Sequence, residues 1–155
     1  MHDILKAELA AVNRFIDILQ QEQTALVSAD VDTLLPLSDS KTKQADELRL
    51  LAQQRVDQLI QAGFSGNREG MDAWLAEQPT AGRNDMKKVW DDLLQAGRTA
   101  QRLNETNGKL IEIHLQHNQQ ALSALASAAN QSGVYGKDGQ PHTTIPSSSR
   151  TLGKV

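Results

Sequence analysis

The chain has no cysteine, which excludes disulfide staples, thiolate metal sites and cysteine nucleophiles. Aromatic residues make up only 3% of it: two Trp, two Phe and one Tyr. That is too few for base-stacking platforms or for the core of a β-sandwich. Neither sign of charge dominates, since 16 Lys and Arg against 19 Asp and Glu leave a net charge of -3. With a pI near 5.8, the chain lacks the basic face of a nucleic-acid binder. No apolar run approaches the roughly 20 residues of a membrane-spanning helix, so no stable membrane insertion is expected. The first residues, Met1-His2-Asp3-Ile4-Leu5-Lys6, lack the charged, apolar, small order of a signal peptide. For 155 residues, one domain in the cytoplasm is the expectation.

What the chain does have is helical spacing. Leu5, Leu9, Val12, Ile16, Leu19 and Leu26 step by threes and fours, with Gln23 in the one polar seam position. This predicts a helix over about 3–28, with Lys6, Glu8, Arg14, Asp17 and Gln20 exposed. Ser28-Ala29-Asp30 interrupts the pattern, and Asp30 suits an N-cap. Leu34, Leu37, Ala45, Leu48, Ala52, Val56 and Leu59 form the next stripe, ending at Gly63. Pro36 either kinks this helix or opens it after a short turn at 31–35. Residues 63–83 hold five Gly or Pro residues around Met71, Trp74 and Leu75, a pattern for a short helix or an ordered loop. After a cap at Asn84, one long seam runs from Met86 through Trp90, Leu93, Gly97, Ala100, Asn104, Asn107, Ile111 and His114 to Ala128. Residues 132–155 are rich in Gly, Pro, Ser and Thr and should stay mobile, because they bury too little to offset chain entropy.

These elements predict an all-α fold: an antiparallel three-long-helix bundle or coiled coil over 1–131, with a short extra helix and a flexible C-terminal tail over 132–155. Up-down-up topology brings Gln23, Lys41 and Asn104 to one height, which suggests a polar layer that fixes register. The alternative is that Lys41 snorkels outward and the others face water. Asn104, Asn107 and Gly108 are assigned to architecture, the two Asn to a buried polar layer with the second helix. A glycine inside a helix costs about 1 kcal/mol relative to alanine, so close approach of a neighbouring backbone is expected at Gly108. The second helix covers about 30 residues, so the last one outruns it near residue 116. That leaves the apolar positions Leu115, Ala121, Leu122, Leu125 and Ala128 for a partner. A homodimer contact or a frayed helix end would also account for them.

No catalytic set emerges. His114 and His117 are three apart, but no third metal ligand accompanies them, and there is no His-Glu-x-x-His or phosphate-binding glycine loop. No acid, base and nucleophile converge. The chain is therefore read as neither an enzyme nor a cofactor or metal binder.

The last long helix and the tail carry a resemblance. Leu103-Asn104-Glu105-Thr106-Asn107-Gly108-Lys109-Leu110-Ile111 resembles the Leu-Asn-x-x-Asn-Gly-x-Leu-[Leu/Ile] signature of the FlgN family of flagellar export chaperones. Asn118-Gln119-Gln120-Ala121-Leu122 and Tyr135-Gly136-Lys137-Asp138-Gly139-Gln140 resemble further family segments. Glu22-Gln23, Lys41 and Gln53-Gln54-Arg55 fit more loosely, and 63–83 matches nothing in the family. The resemblance implies a cytosolic chaperone of flagellar type III export. Its clients would be the hook-associated proteins FlgK and FlgL, held by a terminal segment and delivered to the export gate protein FlhA. In that frame Leu115, Ala121, Leu122, Leu125 and Ala128 would hold the client, and Tyr135 beside Gly136 would dock on the gate. Packing of Tyr135 onto the bundle is the alternative. The other functional reading is a self-assembling coiled-coil scaffold without a client. The chain is expected to be a monomer or homodimer.

Overall fold

The structure, a computed structural model, describes residues 1–134, with side chains to residue 129. Four helices follow in order: α1 (His2–Ser28), α2 (Val31–Gln61), α3 (Arg68–Glu77) and α4 (Thr80–Val134). No strand occurs among the described residues. The chain divides into two compact units, Met1–Glu112 and Ile113–Val155. The first contains α1, α2, α3 and the earlier part of α4; the described part of the second is the end of α4.

Local chemistry sets the helix ends. Ala29 takes a left-handed conformation at φ 54°, which lets the Asp30 N–H donate back to the Ala25 carbonyl at 2.9 Å and closes α1. The Asp30 carboxylate then caps α2, accepting from the Thr33 N–H at 3.2 Å and the Thr33 hydroxyl at 2.6 Å. These two bonds, the hydroxyl's foremost, hold its pKa below the ordinary 3.8. The contribution of the cap is present above that ordinary value and is lost as pH falls through the lower folded one. Gly63, at φ +85°, ends α2, with the Phe64 N–H donating to the Leu59 carbonyl at 2.9 Å. Pro36 lies inside α2, which begins at Val31, so the reading that Pro36 opens the helix is overturned. Its missing N–H would have served the Asp32 carbonyl; both residues are exposed, which leaves that group open to water.

The stretch 63–83 forms the short helix α3. Asn67 caps it, accepting from the Gly70 N–H at 2.9 Å. A Cβ on Gly70 would stand 1.9 Å from the Ser65 carbonyl oxygen, so this tight entry requires glycine. Met71 and Leu75 are buried and Trp74 packs against the core. Ala81 and Gly82 are non-helical, and α4 runs regularly from residue 83.

In the first unit the helices run up, down and up. Glu8 pairs with Arg55, Arg14 with Glu47 and Glu22 with Lys41, the descending partner numbers of an antiparallel α1–α2 hairpin. His2 meets Asp85 and Asn107 meets Leu19, the ascending order of parallel α1 and α4. Leu5, Val12, Leu19, Leu59, Met71, Leu75, Val89, Trp90, Leu93 and Ala100 form the core between them. The expected α4 seam is corrected in one of its two rows. Val89, Ala96, Leu103 and Leu110 turn inward, together with Trp90, while Gly97, Asn104 and Ile111 are exposed. The inward row is wholly apolar, so it buries without desolvating a polar group.

Two polar clamps cross the bundle. The Arg55 guanidinium donates twice to Glu8, at 2.8 and 3.3 Å, and lies 5.2 Å over the Trp90 ring, whose indole N–H donates to Asp72 at 3.0 Å. This chain of contacts touches all four helices. Glu8, expected to be exposed, is buried, and Arg55 is the reason: a bidentate partner and an aromatic face make the burial tolerable. In the second clamp Lys41 donates to both oxygens of Glu22, at 3.1 and 2.9 Å. The Asn107 amide donates to Glu22 at 2.7 Å and to the Leu19 carbonyl at 2.8 Å.

Three outcomes are expected in urea unfolding. Arg55→Ala, which strands the Glu8 carboxylate, should cost about 3–5 kcal/mol, whereas joint replacement Glu8→Leu with Arg55→Met should recover most of that loss. Asn107→Ala should cost about 2–3 kcal/mol, through lost bonds and an unfilled volume; a loss below about 0.5 kcal/mol would contradict the second clamp. Ala29→Gly should stabilise by about 1 kcal/mol, because only glycine adopts that φ without strain.

Candidate functional site

In the second unit α4 presents apolar side chains that are exposed among the described residues. Leu115, Leu122 and Leu125 are 56%, 66% and 67% exposed, and Ala121 and Ala128 are exposed too. At about 100° per residue the three leucines fall within about 80° of one another on the helix, with the two alanines along one edge. Full burial of a leucine side chain contributes about 1.5–3 kcal/mol. Three on one face therefore offer a partner several times the thermal energy. The stripe consists of aliphatic side chains and contains no reactive group.

Its electrostatics are as distinctive as its shape. From residue 113 to 134 the sequence contains no Asp, Glu, Lys or Arg. His114 is half-buried and His117 exposed. Among the described residues no three His, Cys, Asp or Glu side chains form a group that could hold a metal ion. The groove between α3 and α4 is lined by Arg68, Asp72, Arg83, Lys87 and Asp91. Arg68 pairs with Asp72 and Lys87 with Asp91, and the Arg83 guanidinium approaches the Ala76 carbonyl. These are surface pairs, and they bring no nucleophile to a base. No described helix is long and apolar enough to cross a membrane.

The residues expected to form a polar layer separate into two groups. Lys41 and Asn107 converge, and they do so on Glu22. Gln23 is half-buried, while Asn104 and Gly108 are exposed. A Cβ on Gly108 would meet nothing within 4 Å, so close backbone approach does not account for this glycine. Asn107 bonds to α1 rather than directly to α2. Glu22, Glu8 and Arg55 were missed as a set. Their signal is legible: Glu8 and Glu22 are two heptads apart in α1, and Lys41 and Arg55 are two heptads apart in α2. In an antiparallel hairpin those spacings place each acid opposite a base. Tyr135, Gly136 and all of 135–155 lie outside the described residues.

Comparison with known proteins adds a separate line of evidence. The family model described as FlgN protein matches residues 1–143. A Proteus mirabilis flagella synthesis protein FlgN is 25% identical over 147 residues, covering 94% of this chain and 92% of that protein. A Yersinia enterocolitica flagella synthesis protein FlgN is 27% identical over 129 residues, covering 73% of this chain and 87% of its own length. A crystal structure of a Pseudomonas aeruginosa protein assigned as a flagella synthesis protein FlgN superposes with a TM-score of 0.64 at 23% identity. It covers 70% of this chain and 84% of that one, and it shows a shared fold.

Proposed function

The chain belongs to the FlgN family, and on that premise we propose that it is a cytoplasmic export chaperone for the hook-associated proteins FlgK and FlgL. The observation that carries this reading is the exposed face of Leu115, Leu122 and Leu125 on a stretch of α4 without a charged side chain. An amphipathic terminal segment of the client lays its apolar side on these leucines and on Ala121 and Ala128, in the manner of a helix in a groove. Covering that side keeps the client from associating before export. No chemical step is needed, so the cycle is one of binding and release without a nucleotide.

In this scheme Tyr135 beside Gly136, beyond the described residues, docks on the export gate protein FlhA. Tyrosine suits that role because its ring is apolar and its hydroxyl polar. The competing scaffold reading would place a second copy of this chain on the same face. An oligomer that forms without client, and is lost in Leu122→Ser with Leu125→Ser, would favour the scaffold over the client reading.

Titration calorimetry of the full chain against C-terminal fragments of FlgK and FlgL tests the reading. Binding with a negative heat-capacity change is expected, as apolar surface is covered. Leu122→Ser with Leu125→Ser should abolish it while the unfolding transition is retained. Because 113–134 has no carboxylate, ammonium or guanidinium side chain, the affinity should change less than about threefold between 50 and 500 mM salt. Unaltered binding by the folded double variant would remove the client from this face.

A further inference from the structure

The turn joining α1 to α2 carries a second exposed apolar surface, of a different chemical character. Val27 in the last turn of α1, and Val31 and Leu35 in the first turns of α2, are 72%, 65% and 73% exposed. Capping does not account for them, since the turn is closed by the Ala29 and Asp30 backbone and by Thr33. On α2, Val31, Leu35, Asp39 and Asp32 fall in that order within about 100° of arc. The result is an apolar strip with an acidic edge. From residue 15 to 40 the chain has five acidic residues, Asp17, Glu22, Asp30, Asp32 and Asp39, and no Lys or Arg. Two of the five have structural work: Glu22 is neutralised by Lys41, and Asp30 caps the helix.

Asp32 lies in the first turn of α2, where the helix dipole favours a carboxylate. Asp39 is a further two turns along, beyond the range of that effect. It is exposed and has no ion-pair partner among the described residues; Lys43, one turn on, makes no pair with it. Two solvated carboxylates beside the solvated Val31 and Leu35 on one face of α2, with Val27 exposed across the turn, favour one kind of occupant. We propose that this hairpin tip docks a cationic amphipathic helix of a protein partner. The apolar side of that helix covers Val27, Val31 and Leu35, while its Lys or Arg side chains meet Asp32 and Asp39. The acidic edge repels anionic lipid and nucleic acid. The inference stands independently of the client reading, which concerns an uncharged face of α4.

The test uses the full-length, isotope-labelled protein and, as probe, a synthetic amphipathic peptide of Leu and Lys, with a Leu and Glu peptide of the same pattern as its counterpart. The Lys peptide should perturb backbone resonances of 27–39, and its affinity should fall by about tenfold or more in Val31→Ser/Leu35→Ser and in the charge reversal Asp39→Lys. The Glu peptide should not bind there. Both sites are exposed, so the variants should fold; should the Ser pair not, Asp39→Lys alone decides. Equal affinity in the folded variants would overturn the proposal. So would perturbation confined to 113–129, binding of the Glu peptide at the tip, or recruitment of the protein to anionic phospholipid vesicles through these residues. A shift from dimer to monomer in Val31→Ser/Leu35→Ser would likewise overturn it, by assigning the tip to a second copy.

Discussion

Two carboxylates on the buried face of α1 dictate much of the arrangement of the first unit. Glu8 and Glu22 are each less than a tenth exposed, and a buried carboxylate without a matching cation costs several kcal/mol. α2 supplies Arg55 and Lys41 at the same two-heptad separation, so one antiparallel register satisfies both acids together. A slip of α2 by a single turn would leave both unpaired. α4 completes each clamp from its own side, with the Trp90 ring beneath Arg55 and the Asn107 amide on Glu22. Apolar packing between the clamps, by Val12, Leu19, Leu93 and Ala100, contributes most of the cohesion but would tolerate several registers. The ion pairs select among them.

A bundle fixed in this way does not depend on the end of α4 for its core. Every residue of the hydrophobic core cluster lies at or before Leu103, in the first unit. The exposed leucines of the second unit, Leu115, Leu122 and Leu125, take no part in that core. On the proposed function the logic is physical: a chaperone that must release its client benefits from a binding face whose occupation does not alter the stability of its own fold. The lack of formal charge from 113 to 134 fits the same requirement, since an apolar contact without buried ion pairs carries no large desolvation term for entry or release.

Much of the fold was legible in the sequence. Helix number, the capped turn at Asp30, the stop at Gly63 and the up-down-up order all followed from spacing and cap chemistry, which are local. The misassigned elements share a cause. Placing Glu8 outside, or Asn104 inside, treated polarity as a local property, whereas burial of a charge is decided by what stands opposite it on another helix. Gly97 and Asn104 took the seam in place of Ala96 and Leu103 because spacings of three and four residues permit two neighbouring rows. Only the wholly apolar row satisfies the bundle. Pro36 was ambiguous for a different reason: near a helix start its missing N–H leaves an exposed carbonyl, and the helix can pass through it. The candidate client face was legible as an apolar stripe, exposed among the described residues, and its freedom from charge could have been read from the same residues.

The central claim is that the first unit is a self-sufficient bundle and that client binding is confined to the end of α4. Amide hydrogen exchange on the full chain, alone and with a C-terminal fragment of FlgK or FlgL, tests it most directly. The account predicts strong protection of α1, α2 and the α4 segment up to about residue 107 before client is added. It predicts that the client adds protection within 113–134 and leaves the two clamps unchanged. New protection centred on the α1–α2 hairpin, or loss of protection around Glu8 and Arg55 on binding, would contradict it.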